Sequence, residues 1–202
     1  MQELLTLALA YLLGSIPFGL VIVRAAGLGD VRSIGSGNIG TTNVLRTGRK
    51  DLAAATLLLD AGKGAVAVLI AAGLSEGNEV LMALAGAGAF LGHCFSVFLR
   101  LRGGKGVATY LGTMLAFDWR VGLMACVVWL GAAFLTRYSS AGALAASLAA
   151  PLLLLLFGQF AFAVAALFMT ALVFYRHREN IARLRAGTES KIGKKSDTPA
   201  AP

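Results

Sequence analysis

Charge is scarce in this chain: Asp, Glu, Lys and Arg make up 14% of its 202 residues, against about a quarter in a soluble domain. Acids are scarcer still, ten against eighteen Lys and Arg. Cysteine is limited to Cys94 and Cys126, both inside apolar runs and without CxxC spacing, which excludes a disulfide framework. With only two histidines beside them, no zinc-type cluster is available, and neither a metal nor a cofactor is expected. No Lys or Arg precedes the first apolar run, so the basic start of a cleavable signal peptide is missing and Leu4 to Val23 reads as a retained span. No separate basic domain exists either: the cations lie between and after the apolar runs, which argues against a nucleic-acid partner.

What the chain has in abundance is apolar surface. Its hydrophobic residues reach 57% and its mean hydropathy is +0.76, which defines an all-α polytopic membrane protein in contact with the lipid bilayer. Twenty-five glycines suit close helix approach in lipid. Seven spans are expected at roughly 3–24, 51–73, 79–100, 106–117, 120–136, 139–157 and 160–176. The first carries Gly14-Ser15-Ile16-Pro17-Phe18-Gly19, where proline predicts a kink. If the helices alternate, Arg24, Arg32, Arg46, Arg49, Lys50, Arg100, Arg102, Lys105, Arg137 and the seven cations of the tail share one face. The positive-inside rule makes that face cytoplasmic and puts the N-terminus outside and the C-terminus in the cytoplasm. Residues 1–193 form one membrane domain, and 194–202 lack any apolar period, which predicts a disordered tail that begins near Lys191.

Polar chemistry concentrates in the first connector, Gly35-Ser36-Gly37-Asn38-Ile39-Gly40-Thr41-Thr42-Asn43-Val44-Leu45-Arg46. Glycines let backbone N–H groups approach a ligand, Ser36, Asn38, Thr42 and Asn43 offer donors, and Arg46 can grip an oxyanion with two parallel bonds. The pattern reads as an anion-handling loop; a plain connector would need none of these donors. A second element, Gly103-Gly104-Lys105-Gly106, opens a fourth span of only about a dozen residues, too short for a hydrocarbon layer about 30 Å thick. A glycine-rich turn at a helix start points amides and the positive dipole end at an anion, and Lys105 adds a full charge. It is not a Walker loop, because glycine follows the lysine where serine or threonine is required.

Lys63, in Gly62-Lys63-Gly64, lies about 16 Å of helix from the outer end of its span and is expected at a depth similar to Lys105. It follows Asp60 by three residues, so a structural ion pair and a substrate contact are both open. His93 sits within the third span, where a hydrogen bond to a neighbour is the simpler role. His177 and Asn180 fall three apart on an expected helical continuation of the last span. That spacing serves either acyl transfer, with imidazole and amide sharing proton and oxyanion, or a basic helix lying on anionic lipid.

Taken in order, the Gly14 to Gly19 and Ser36 to Arg46 stretches, Asp60-Ala61-Gly62-Lys63-Gly64, Gly92-His93 with Gly103 to Ala108, and Arg176 to Ile181 through Gly187-Thr188-Glu189 resemble the PlsY family of bacterial glycerol-3-phosphate acyltransferases. The resemblance implies an enzyme of the inner membrane, its active site facing the cytoplasm, that moves a fatty acyl group from acyl phosphate to the 1-hydroxyl of glycerol 3-phosphate. The partners so implied are acyl phosphate and glycerol 3-phosphate, and not CoA. The chain lacks the His-x-x-x-x-Asp pair of acyl-CoA-dependent glycerolipid enzymes: Val97 and Ile181 stand four residues after its two histidines and Phe98 and Ala182 five after. The resemblance assigns catalysis to Ser36, Arg46, His177 and Asn180, phosphate binding to the turn around Lys105, and a structural role to Glu189. A transporter of an organic phosphate would use similar buried cations, but should show a repeat relating two halves, which is not found.

Overall fold

The computed structural model describes residues 1–192, and the tail expected at 194–202 lies outside them. Each of the seven apolar stretches is helical, and the described residues contain no strand. The first stretch is α1 (Gln2–Ser15) and α2 (Phe18–Ala25); α3 (Thr41–Val44) lies in the first connector. There follow α4 (Lys50–Leu74), α5 (Glu79–Cys94), α6 (Val107–Phe117), α7 (Trp119–Thr136), α8 (Ser139–Leu156), α9 (Phe160–Arg176) and α10 (Arg178–Arg185). Five segments are long and apolar enough to cross a membrane, counting α1 with α2, and α9 with α10 makes a sixth that is bent by 59°. At 11 residues, α6 spans about 16 Å and is as short as the sequence predicts.

The helix breaks follow from backbone chemistry. Pro17 has no N–H and forces Ile16 into an extended conformation, so the expected kink is a complete break between α1 and α2. Asn78 starts α5 by accepting from the amides of Val80 and Leu81 at 3.0 and 3.2 Å, and Asp118 starts α7 by accepting from Arg120 N at 2.9 Å. The last helix does not run straight into the tail as expected; it bends at His177, whose amide bonds back to Val173 and Phe174 carbonyls.

α5 occupies the centre, packed against α1, α4 and α9. Gly88 and Gly92 on α5 and Gly14 on α1 make the α1–α5 crossing. A Cβ on Gly92 would stand 2.1 Å from the Tyr11 carbonyl oxygen, and one on Gly14 2.0 Å from that of Ala89. Small residues four apart permit this backbone contact, which in lipid replaces the hydrophobic drive. The same device brings α4 to α6, with Gly64 against Thr109 and Gly112 against Ala61. That crossing brings Lys63 close to α6. The main apolar core, including Phe90, Tyr110, Met114, Phe117, Phe162 and Met169, lies between α5, α6 and α9.

Candidate active site

The first connector is built around Asn43, fully buried at the end of the loop. Its Nδ2 donates to the carbonyls of Val31, Asn38 and Ile34 at 2.7, 2.8 and 3.1 Å, and its Oδ1 accepts from Ser36 N at 3.0 Å. Asn43, expected among the substrate ligands, therefore has its amide hydrogens engaged in holding the loop. Gly35, at φ +55°, leaves no room for a side chain: a Cβ there would meet Asn43 Oδ1 at 2.4 Å and Arg46 Nη1 at 2.5 Å. Ser36 is thereby held out, exposed, with its Oγ 3.4 Å from Asn43 Oδ1. Arg46 Nη1 donates to the same oxygen at 3.3 Å. Thr42 leaves the loop's interior and pairs with Ser139 on α8 at 3.1 Å.

Arg46 also reaches across the molecule, donating from Nη2 to Ser190 Oγ at 2.6 Å. Its neighbour Glu189 is a hub: the carboxylate accepts from Asn180 Nδ2 at 2.5 Å, Arg183 Nε at 2.7 Å and Ser140 Oγ at 2.8 Å. Burial works against the Glu189 charge, but these donors outweigh it and hold the carboxyl below its usual pKa. Asn180 is oriented in turn, its Oδ1 accepting from Lys105 Nζ. Ser36, Asn43, Arg46, Ser190, Glu189, Asn180 and Lys105 so form one chain of contacts, drawn from the first connector, the α5–α6 turn and the C-terminal segment. Lys191 over the Tyr138 ring at 6.0 Å and Ile192 N on the Arg137 carbonyl at 2.8 Å continue this packed segment to the end of the described residues.

The glycine-lysine turn is fixed differently from the sequence reading. Gly103 and Gly104 donate their amides to the Cys94 and His93 carbonyls at 3.2 and 2.9 Å, so these two N–H groups are not available to an anion. Their own carbonyls accept from Arg176, at 2.7 and 3.0 Å. A Cβ on Gly104 would stand 2.2 Å from His93 Nε2, and Gly106, at φ +82°, precedes α6 and packs on Phe90. What remains for a ligand is the first turn of α6, whose amides have no helical acceptor, and Lys105 itself. Burial, then the Arg183 guanidinium, pushes the Lys105 ammonium down to about 8.

His177 lies in the break after α9, buried, with Nδ1 2.8 Å from the Val173 carbonyl. A carbonyl can only accept, so Nδ1 carries the hydrogen and Nε2 keeps its lone pair. Burial, opposed by that hydrogen bond and reinforced by Lys105, pushes the imidazole down to about 4. Lys63 is not part of this assembly. Its Nζ lies 2.8 Å from both Asp60 Oδ1 and the Ile16 carbonyl, and His93 Nδ1 lies 3.6 Å from the same Asp60 oxygen. The pair thus secures the carbonyl exposed by the Pro17 break. Sequence reasoning missed the roles of Arg176, Arg183, Ser140 and Ser190, which read as ordinary juxtamembrane polar residues until the bend at His177 brings the C-terminal segment back against α8 and the α5–α6 turn.

Fold and site together define a helical integral membrane protein with a cation-rich polar centre gathered from three connectors. The family sequence profile described as glycerol-3-phosphate acyltransferase matches residues 4–187, and the chain belongs to that family. It is 59% identical to the glycerol-3-phosphate acyltransferase of Caulobacter vibrioides (strain NA1000 / CB15N), over 98% of this chain and 93% of that protein. Identity to the corresponding protein of Bradyrhizobium diazoefficiens is 58%, over 94% and 95%. The structure is similar to the crystal structure of PlsY (YgiH), an integral membrane glycerol 3-phosphate acyltransferase, in its glycerol 3-phosphate form, with a TM-score of 0.90, 40% identity and 96% of each chain covered. Against the lysophosphatidic acid form the TM-score is 0.88 at 39% identity.

Proposed function

We propose that the protein transfers a fatty acyl group from acyl phosphate to the 1-hydroxyl of glycerol 3-phosphate, releasing lysophosphatidic acid and inorganic phosphate. The observation that carries this reading is the continuous contact chain from Ser36 through Arg46 and Asn180 to Lys105. Both substrates are phosphorylated, and two cations from separate connectors, Arg46 and Lys105, stand at different points along this chain of contacts. Acyl phosphate is an activated mixed anhydride, so the protein has chiefly to hold the hydroxyl against the carbonyl and exclude water.

In the proposed step the 1-hydroxyl oxygen attacks the acyl carbonyl, the carbon–oxygen bond to phosphate breaks, and phosphate leaves with the bonding pair. Arg46 and Lys105 hold the phosphates, and Ser36 with the first-turn amides of α6 supplies donors for the developing oxyanion. In this reading the hydroxyl proton goes to a substrate phosphate, and His177, through the Nε2 lone pair left by its Nδ1–Val173 bond, orients the hydroxyl. Glu189 positions Asn180, and no CoA and no cofactor takes part. The cation-rich connectors set the site toward the cytoplasm, with seven spans, N-terminus outside and C-terminus inside, in the inner membrane.

The test is to give purified protein labelled glycerol 3-phosphate with either palmitoyl phosphate or palmitoyl-CoA. Lysophosphatidate formed from palmitoyl phosphate alone is the expected result; product from palmitoyl-CoA alone, or from neither, overturns the proposal.

A further inference from the structure

A second cationic feature lies outside the contact chain just described. A cavity of about 480 Å³ is lined by Arg24, Arg32, Arg100 and Arg102 together with Leu20, Phe98 and Leu99. None of Ser36, Arg46, Lys105, His177 or Asn180 lines it. Asp30 pairs with Arg24 at 2.8 Å and Arg32 at 2.6 Å, and so offsets only part of the charge. Among the described residues neither Arg100 nor Arg102 has a carboxylate within ion-pair distance.

The backbone that carries these two arginines is strained. Arg100 and Leu101 stand in the left-handed region, at φ +51° and +63°. Two successive side-chain-bearing residues there are uncommon, and each costs free energy that the surroundings must overcome. The conformation is locked by Leu101 N on the Ser96 carbonyl at 2.8 Å and Arg102 N on the Leu99 carbonyl at 3.0 Å. Its result is that Arg100 and Arg102 line the cavity with Arg24 and Arg32, while Phe98, 61% exposed, adds an apolar surface to the same lining and Leu101, 57% exposed, stands beside it.

Charge and apolar surface are thus placed side by side at the end of α2 and the exit of α5, on the cation-rich side of the bundle. A free small anion would have no use for the exposed Phe98 and Leu101. An amphiphile would: guanidiniums grip phosphate with paired N–H bonds, and exposed apolar side chains lie along hydrocarbon. We propose that this cavity binds the phosphate headgroup of an anionic membrane phospholipid, with the acyl chains running beside Phe98 and Leu101. The site is separate from the proposed reaction and would operate in a protein unable to transfer an acyl group.

Native mass spectrometry of protein purified from bilayers of equimolar phosphatidylglycerol and phosphatidylcholine tests this directly. The parent chain should retain phosphatidylglycerol in preference to phosphatidylcholine. Arg100→Gln/Arg102→Gln should lose on the order of tenfold of that retention, and Arg100→Gln alone a smaller share. Ser36→Ala and Lys191→Gln should retain the lipid as the parent does, which separates this site from the acyl-transfer site and from general surface charge. Equal retention by the folded arginine variants overturns the proposal. So does displacement of phosphatidylglycerol by inorganic phosphate or palmitoyl phosphate at the concentration at which phosphatidylglycerol displaces itself.

Discussion

Lys105 shows how far a single residue can be argued from charge and burial. Its ammonium is pushed down to about 8, chiefly by desolvation. It is charged below that value and neutral above it, so the anion binding proposed for Lys105 should be present at neutral pH and fade as pH rises past about 8. The KM for glycerol 3-phosphate should rise above about pH 8 in the parent chain and stay flat in Lys105→Arg, since a guanidinium remains charged to a pKa above about 12. A KM in the parent that does not change up to pH ~10, near the ordinary lysine value, would remove Lys105 from phosphate binding. The residue types of the site were legible in the sequence because glycines, hydroxyls and cations stand out against an apolar background. Their individual roles were not. Asn43 and Asn38 look alike as letters, yet the first is buried and engaged with three carbonyls, a distinction that only the folded loop creates.

At the scale of elements, hydropathy located the helices of the seven apolar stretches because each is an apolar run bounded by polar or glycine-rich residues, but it gave no sign of the short polar α3. The breaks were half legible. Proline announced the one between α1 and α2, whereas nothing in Arg176-His177-Arg178 announced the 59° bend after α9. The α1–α2 break also explains Lys63, whose ammonium lies on the Ile16 carbonyl and beside Asp60. Lys63→Met should leave Asp60 buried without its partner and destabilise the folded protein by about 3–5 kcal/mol. Asp60→Asn/Lys63→Met should recover much of that loss and retain acyl transfer. Thermal unfolding in detergent with a parallel activity assay checks both. A double variant that is stable but inactive would show Lys63 to be a substrate ligand instead.

The whole molecule poses a different problem, since a short helix and two broken ones must still add up to a membrane protein. Close glycine crossings of α5 on α1 and of α4 on α6 hold the bundle together while α6 stops short, and the turn before it carries Lys105 into the bundle's cation-rich end. Single cysteines at Glu76 and Glu179, in a background lacking Cys94 and Cys126, should be labelled by impermeant maleimide from outside and from the cytoplasm respectively. Labelling of both from one side would refute the alternating topology. The central claim, however, is that connectors far apart in the chain assemble one phosphate site. Calorimetric titration of glycerol 3-phosphate into the parent, Arg46→Ala and Lys105→Ala measures it most directly. Each substitution should weaken binding by about tenfold or more, the loss of one charge-assisted contact. Unchanged affinity in either folded variant would contradict the account.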